Sequence, residues 1–322
     1  MNQIRVGLIG FGDWAKTAYV PILKSFKEVD IVSVCARSDA TQVAARKVLG
    51  DEFKWYTNYE DLVADKDVDV VMIGLPFDTT ASAAVATLKA NKHVFIEPPL
   101  PSGDVTEELF NLAGETDKVV HFDLGTRYLA VVEIAKQAMN EEEFGDIQNI
   151  TLSVENNWGN VPSDSELKDG LRHIVFGLSP WYLDLCEYFI PQVPVSVEII
   201  GAQNKVGLAN LQYPKCGATW KFNLHVRTDH QCYITVVGKY GEVRVNLTNG
   251  EYAWTNRSGS SEGNAPAKQP DGAVGSMESV VAFLLATQNG ERTKSDPISY
   301  QRIHSMMVGL EESYHQNKRV LL

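Results

Sequence analysis

"VGLIGFGDWAKTAYVPIL", residues 6–23, runs from a short apolar stretch through a G-x-G-x-x-A turn, with Gly10, Gly12 and Ala15 in its fixed places, into a helix-like segment. Each small residue answers a separate requirement. Gly10 permits the tight turn, Gly12 lets the backbone approach a pyrophosphate, and Ala15 lets the helix pack close to the strand. The helix N-terminus then offers N–H groups and a partial positive charge to the phosphates. The turn therefore predicts a dinucleotide site lined by Gly10, Gly12, Asp13, Trp14 and Ala15.

Downstream, the same strand-and-helix rhythm continues to residue 121. The strand candidates are "IRVGLIG", "IVSVCAR", "VDVVMIGLP", "KHVFIE" and "KVVHFDLG", separated by helix-like stretches such as "DATQVAARKVLG" and "TASAAVATLKAN" that end in Gly or Asn. This alternation predicts an α/β domain over residues 1–121, a doubly wound parallel sheet of Rossmann type. Over residues 122–322 the pattern changes to a long helix near 128–143, a strand "IQNITLSVENNW", a helix near 178–190, and the alternating strands "VSVEIIGA", "GATWKFNLHV", "QCYITVVG" and "GEVRVNL". That predicts a second, α+β domain with an open, mostly antiparallel sheet. The Gly- and Ser-rich residues 256–275 read as a mobile loop, and helices near 276–289 and 299–316 follow.

Composition narrows the partners. The net charge of -12, from 41 acidic against 29 basic residues, works against nucleic acid and anionic membrane surfaces and leaves a small-molecule substrate. No run of about 18 apolar residues predicts a membrane span. The four cysteines are widely spaced and lack a C-x-x-C pair, and the chain opens directly on a strand-like run, so a reducing, cytoplasmic setting is expected. His225 and His230 lie five residues apart on or beside one strand, hence on opposite faces, and no metal is expected.

The end of the second strand reads the adenosine ribose. In "VCARSD" it offers no carboxylate for a free 2′-hydroxyl but a cation and a hydroxyl, Arg37 and Ser38, suited to a 2′-phosphate. NADP is favoured over NAD.

The turn, with "VDVVMIGLP", "NKHVFIEPPL", "HFDLGTRYLAV", "FGDIQNITLSV", "YLDLCEYFI", "VVGKYGEVRVN", "SVVAFLLATQNGE" and "YHQNKRVLL" in order, resembles the glucose-fructose oxidoreductase, inositol dehydrogenase and MocA (Gfo/Idh/MocA) family. The resemblance implies a Rossmann domain, a second domain whose open sheet often forms homo-oligomers, and NAD(P)-dependent oxidation or reduction of a sugar, cyclitol or related small molecule. It also exposes departures. The family's strand-end Glu-Lys-Pro here reads Glu97, Pro98, Pro99, which removes the lysine. Its D-x-G-x-H-x-x-D motif, aligned to "GLSPWYLD", keeps only Asp184 and places Trp181 at the histidine. Its cofactor-side T-P-N-x-x-H reads "LPFDTT", so Leu75, Pro76, Phe77 and Thr80 are the residues expected beside the dinucleotide.

Glu97 and Pro98 are expected beside the cofactor too, with Glu97 an orienting carboxylate. Tyr182, His173 and Asp184 are the candidates for proton transfer, and Arg127, Tyr128, Arg172 and Trp181 for substrate contact, each with an ordinary structural alternative. Two further readings stay open: a bilin-reductase-like enzyme, compatible with the aromatic Phe77 and Trp181, and a non-catalytic dinucleotide-binding sensor or partner subunit. The bond between Pro98 and Pro99 is expected to be cis.

Overall fold

Six strands of the computed structural model pair in parallel, the central ones apolar on both faces and a short edge strand half-covered. They are β1 (Ile4–Ile9), β2 (Val29–Cys35), β3 (Lys54–Tyr56), β4 (Val70–Ile73), β5 (His93–Ile96) and β6 (Val120–Phe122). The residues described are 3–140, 142–156, 170–201, 206–224, 230–266 and 275–322, with backbone only for 170–178. The sheet order is β3-β2-β1-β4-β5-β6, a doubly wound arrangement in which β1 pairs with β2 on one side and β4 on the other. The chain reverses direction across the sheet at β1, which puts the ligand crevice at the carboxyl ends of the strands beside it.

The crossover helices follow from local chemistry. A helix over residues 13–24 widens into a π turn at Ala15–Tyr19 before α1 (Val20–Lys24). Ser38 caps α2 (Asp39–Leu49) by accepting from the Thr41 N–H, and Gly50, at φ +89°, ends it. Next come α3 (Tyr59–Ala64), α4 (Phe77–Lys89) and α5 (Asp104–Glu115), and the core between helices and sheet is built from Val6, Leu8, Tyr19, Leu23, Met72 and Phe95.

The first unit extends beyond the expected boundary at 121. It comprises Met1–Leu124 and Gln269–Tyr300; the second comprises Gly125–Lys268 and Gln301–Leu322. The reason is packing. Val280, Phe283 and Leu284 of a late helix, Ser276–Asn289, are buried in the core of the parallel sheet, with Phe283 edge-on to Phe95 at 5.4 Å between ring centroids.

In the second unit the predicted helix near 128–143 resolves into a 3-10 turn, Gly125–Tyr128, and α6 (Ala130–Ala138). The helix expected near 178–190 begins earlier, as α7 (Gly170–Phe189), and carries Pro180 inside it. The late helices are α8 (Ser276–Asn289) and α9 (Pro297–Gln316). A nine-stranded sheet is built from β7 (Ile147–Glu155), β8 (Ser196–Gly201), β9 (Val206–Gln212), β10 (Gly217–Asn223), β11 (Gln231–Gly238), β12 (Glu242–Asn246), β13 (Glu251–Asn256), β14 (Gly259–Asn264) and β15 (Val320–Leu321), in the order β14-β13-β12-β11-β7-β10-β9-β8-β15. Only β7 and β10 run parallel among the pairings described. Period-2 alternation sends Ile150, Leu152, Ala218, Trp220, Phe222, Ile234 and Val236 to one buried face. Residues 259–264, read from composition as part of a mobile loop, are instead the edge strand, held to β13 by main-chain pairing. Residues 267–274 of that stretch lie outside the described residues.

Candidate active site

Gly10 adopts φ +93°, and a Cβ there would collide with the Gly74 carbonyl, so no other residue fits the turn. Gly12 differs: a Cβ built on it meets nothing within 4 Å, and the residue is exposed. That open cradle above the start of a helix is the space a pyrophosphate needs, and the residues present fit a dinucleotide. Ala15 is buried against the sheet, as close helix packing requires. Asp13 is exposed and paired with Lys16 at 2.6 Å, which holds its carboxyl below the usual range. Arg37 is exposed after β2, and the Ser38 hydroxyl is engaged as the α2 cap.

Leu75, Pro76 and Phe77 form the entry to α4, with Pro76 exposed and the other two half-buried. Thr80 does not reach outward with them. It is fully buried, and its hydroxyl donates to the Leu75 and Pro76 carbonyls at 3.3 Å each, so it shapes the helix start rather than facing a ligand.

The ends of β5 and β6 bring together groups that the sequence does not obviously pair. The Glu97 N–H donates to Ile73 O at 3.1 Å and the Asp123 N–H to Ile96 O at 2.9 Å, which sets both carboxyls on the carboxyl edge of adjoining strands. Trp14 Nε1 donates to Glu97 Oε2 and Tyr19 Oη to Asp123 Oδ2, each at 3.1 Å, and the two carboxyls hydrogen-bond to one another. Burial, and then the neighbouring Asp123, push Glu97 well above the usual carboxylate range. Burial pushes Asp123 up to about 7. Ser279 of α8 hydrogen-bonds Asp123 and, at 2.9 Å, His121 Nε2; His121 Nδ1 lies 2.8 Å from Thr293 Oγ1. His121 is buried and stacked on Phe95 at 4.9 Å between centroids. Pro98 is buried, and the Pro98–Pro99 bond is cis.

In the second unit, Arg127 and Asp184 meet as a buried ion pair. Arg127 Nε donates to Asp184 Oδ1 at 2.8 Å and Nη2 to Glu187 Oε2 at 3.0 Å, while Thr126 Oγ1 donates to Asp184 Oδ2 at 3.0 Å. Arg302 binds the other Glu187 oxygen at 2.8 Å. Arg127 is 1% exposed and Asp184 0%, so neither is presented to a substrate, and the expected roles of substrate cation and base do not fit these contacts. Tyr182 is also turned inward. Its ring lies 5.6 Å from Trp220, and burial pushes its hydroxyl up, away from the range of a proton relay at neutral pH. Trp181 and Tyr128 are half-buried. The side chains of Arg172 and His173, and His225, lie outside the described residues; His230 Nδ1 is 2.9 Å from Asn156 Nδ2.

The family model described as "Oxidoreductase family, NAD-binding Rossmann fold" (GFO_IDH_MocA) matches residues 4–124, the part that carries the glycine turn and the parallel sheet. Over residues 4–124 the chain is similar to the Gfo/Idh/MocA family. An inositol 2-dehydrogenase of Salmonella paratyphi B is 36% identical over 97 residues, 30% of this chain and 29% of that protein, so the match spans less than a third of the relative's length. Among solved structures, levoglucosan dehydrogenase in complex with NADH is similar over 99% of both chains, with a TM-score of 0.84 at 16% identity. The myo-inositol 2-dehydrogenase of Lactobacillus plantarum is similar over 100% of both chains, with a TM-score of 0.84 at 18% identity. At these identities the likeness is one of fold. No helix among the described residues is long and apolar enough to cross a membrane.

Sequence reasoning missed Tyr19, His121, Asp123, Ser279 and Thr293. A signal was present in "VVHFDLG": a histidine and an aspartate inside an apolar strand end are unusual unless each has a partner.

Proposed function

We propose that this protein is a nicotinamide-dinucleotide oxidoreductase acting on a carbinol or carbonyl carbon of a small sugar- or cyclitol-like molecule, with NADP preferred to NAD. The observation that carries the reading is the open cradle at Gly12 above a helix start on the first strand of a Rossmann sheet. Gly10, Gly12 and the backbone of Asp13 and Trp14 would hold the pyrophosphate, and Arg37 a 2′-phosphate. When bound, the dinucleotide supplies the hydride donor or acceptor. The relatives named above support the substrate class, and Pro98 and Trp181, at the family's lysine and histidine places, make the active site a non-standard one. Self-association through the outer face of the nine-stranded sheet, where Tyr233 is 46% exposed, and a cytoplasmic location belong to the same reading.

Titrating the full chain with NADPH and with NADH tests it. NADPH is expected to bind more tightly, and Arg37→Ser to lose about tenfold or more of that preference, the size of one charge-assisted contact. Tighter binding of NADH overturns the NADP assignment. Turnover is then sought on aldoses, cyclitols, ketones and bilins. Binding without turnover on any of them would favour the sensor or partner-subunit reading, for which the enclosure of Asp184 by Arg127 is the specific structural support.

A further inference from the structure

The missing lysine leaves a hydride-transfer site in need of a proton carrier, and the first unit contains one that no motif announces. Glu97 and Asp123 end adjoining strands on the edge where the glycine turn opens. Two carboxyls in hydrogen-bond contact must hold a proton between them, because two buried anions side by side repel. Glu97 is half-buried, whereas Asp123 is 2% exposed. From Asp123 a continuous chain of hydrogen bonds leads through the Ser279 hydroxyl and both ring nitrogens of His121 to Thr293, which is half-buried. Every link can both donate and accept, as proton passage requires.

We propose that Glu97 and Asp123 share a proton and together form the acid–base group of the hydride reaction, with Ser279 and His121 as positioning residues that connect the pair to Thr293. The proposal rests on the dinucleotide reading above. In the oxidising direction the O–H proton of the carbinol passes to the singly protonated pair. A bound oxidised nicotinamide would accept the hydride that leaves the same carbon, so that loss of the proton and of the hydride together would form the carbon–oxygen double bond. The doubly protonated pair then loses one proton from Asp123 by way of Ser279, His121 and Thr293. Reduction runs the same steps backwards. Glu97 is the member placed to touch the substrate oxygen; Asp123 acts through it. The groups facing the pair are Trp14 and Tyr19 from the first helix, Ser279 from α8, His121 from β6 and Tyr300 from α9, and none of these carries a fixed charge.

The test needs no known substrate. Oxidised nicotinamide bears a positive charge that reduced nicotinamide lacks, so NADP+ is expected to expel part of the shared proton and NADPH to leave it. Calorimetric titrations of the full chain near pH 7, in two buffers of different ionisation enthalpy, count the protons. NADP+ is expected to release about half to one proton more than NADPH, the range one group titrating near neutrality allows. The 2′-phosphate is common to both ligands and cancels. Glu97→Gln and Asp123→Asn should each shrink the difference, and the double variant should abolish it. Equal proton counts for two dinucleotides that both bind overturn the proposal while leaving the cofactor reading standing. Failure of both to bind overturns the cofactor reading itself, and the proposal with it. If the variants do not fold, infrared titration of the wild-type protein decides: a protonated carboxyl band that persists at pH 7 supports the pair, and its absence refutes it. For the route, Ser279→Ala should slow proton release after rapid mixing with NADP+ without changing its amplitude. An unchanged rate rules out passage through Ser279.

Discussion

Gly10 and Gly12 look alike in the motif and are unlike in their surroundings. Gly10 is required by the fold, since its φ of +93° and the nearby Gly74 carbonyl leave no room for a side chain. On the dinucleotide reading Gly12 is required by the ligand alone, because nothing in the protein lies within 4 Å of its missing Cβ. Gly12→Ala should therefore leave the melting temperature nearly unchanged, within the ±0.5 kcal/mol of a neutral surface substitution. Dinucleotide affinity should fall by about tenfold or more, as one misplaced pyrophosphate contact implies. Thermal unfolding beside an NADPH titration measures both, and a variant that binds as tightly as wild type would remove Gly12 from the site. The same contrast separates Arg127 from Arg37. Arg127 is enclosed by Asp184 and Glu187, whereas Arg37 stands exposed at the end of β2.

Elements were legible where side-chain periodicity carried them. The strands β1, β2, β4, β5 and β6 are apolar on both faces, so their sequences announce a covered parallel sheet. β14, "GSSEGN", has no such signal: it is an edge strand held by main-chain pairing to β13, and its composition reads as loop. β3 and β9 escaped for related reasons, being three residues long in one case and interrupted by Gly207 and Asn210 in the other. The carboxyl pair was illegible because its members come from different strand ends, and Ser279 from a helix near the other end of the chain. That helix also shows why the first unit could not be closed at residue 121. Phe283 packs on Phe95 and lies 5.6 Å from His121, so the late helix completes the core behind the pair. Phe283→Ala should destabilise the protein by about 3–5 kcal/mol, as other buried Phe truncations do. Denaturant unfolding monitored with and without NADPH checks it. A loss below about 1 kcal/mol would mean that α8 contributes little to the core.

For the molecule as a whole, the pair predicts how stability depends on pH. An unfolded chain ionises its carboxyls near 4, while burial holds folded Asp123 protonated up to about 7, and burial together with the neighbouring Asp123 raises Glu97 well above the usual carboxylate range. Between those limits the folded protein binds more protons than the unfolded chain, so the pair's contribution is fully present below pH 4 and is lost as pH rises through 7. Other groups act in the opposite sense. Hydrogen bonds from the Asp67 N–H, Lys54 and Tyr56 hold Asp65 at about 2 despite its burial, so its contribution disappears as pH falls below the usual carboxylate range. Burial lowers His93, which favours the folded state as pH rises. The raw profile therefore mixes several titrations, but a difference profile isolates the pair, since distant sites add independently. The stability of Asp123→Asn relative to wild type should climb with pH across about 4 to 8, at up to about 1.4 kcal/mol per unit for each proton involved. Urea unfolding of the two proteins at a series of pH values supplies that difference. A flat line would show that Asp123 titrates in the folded protein where it does in the unfolded chain, and that no shared proton is held at the edge of the sheet.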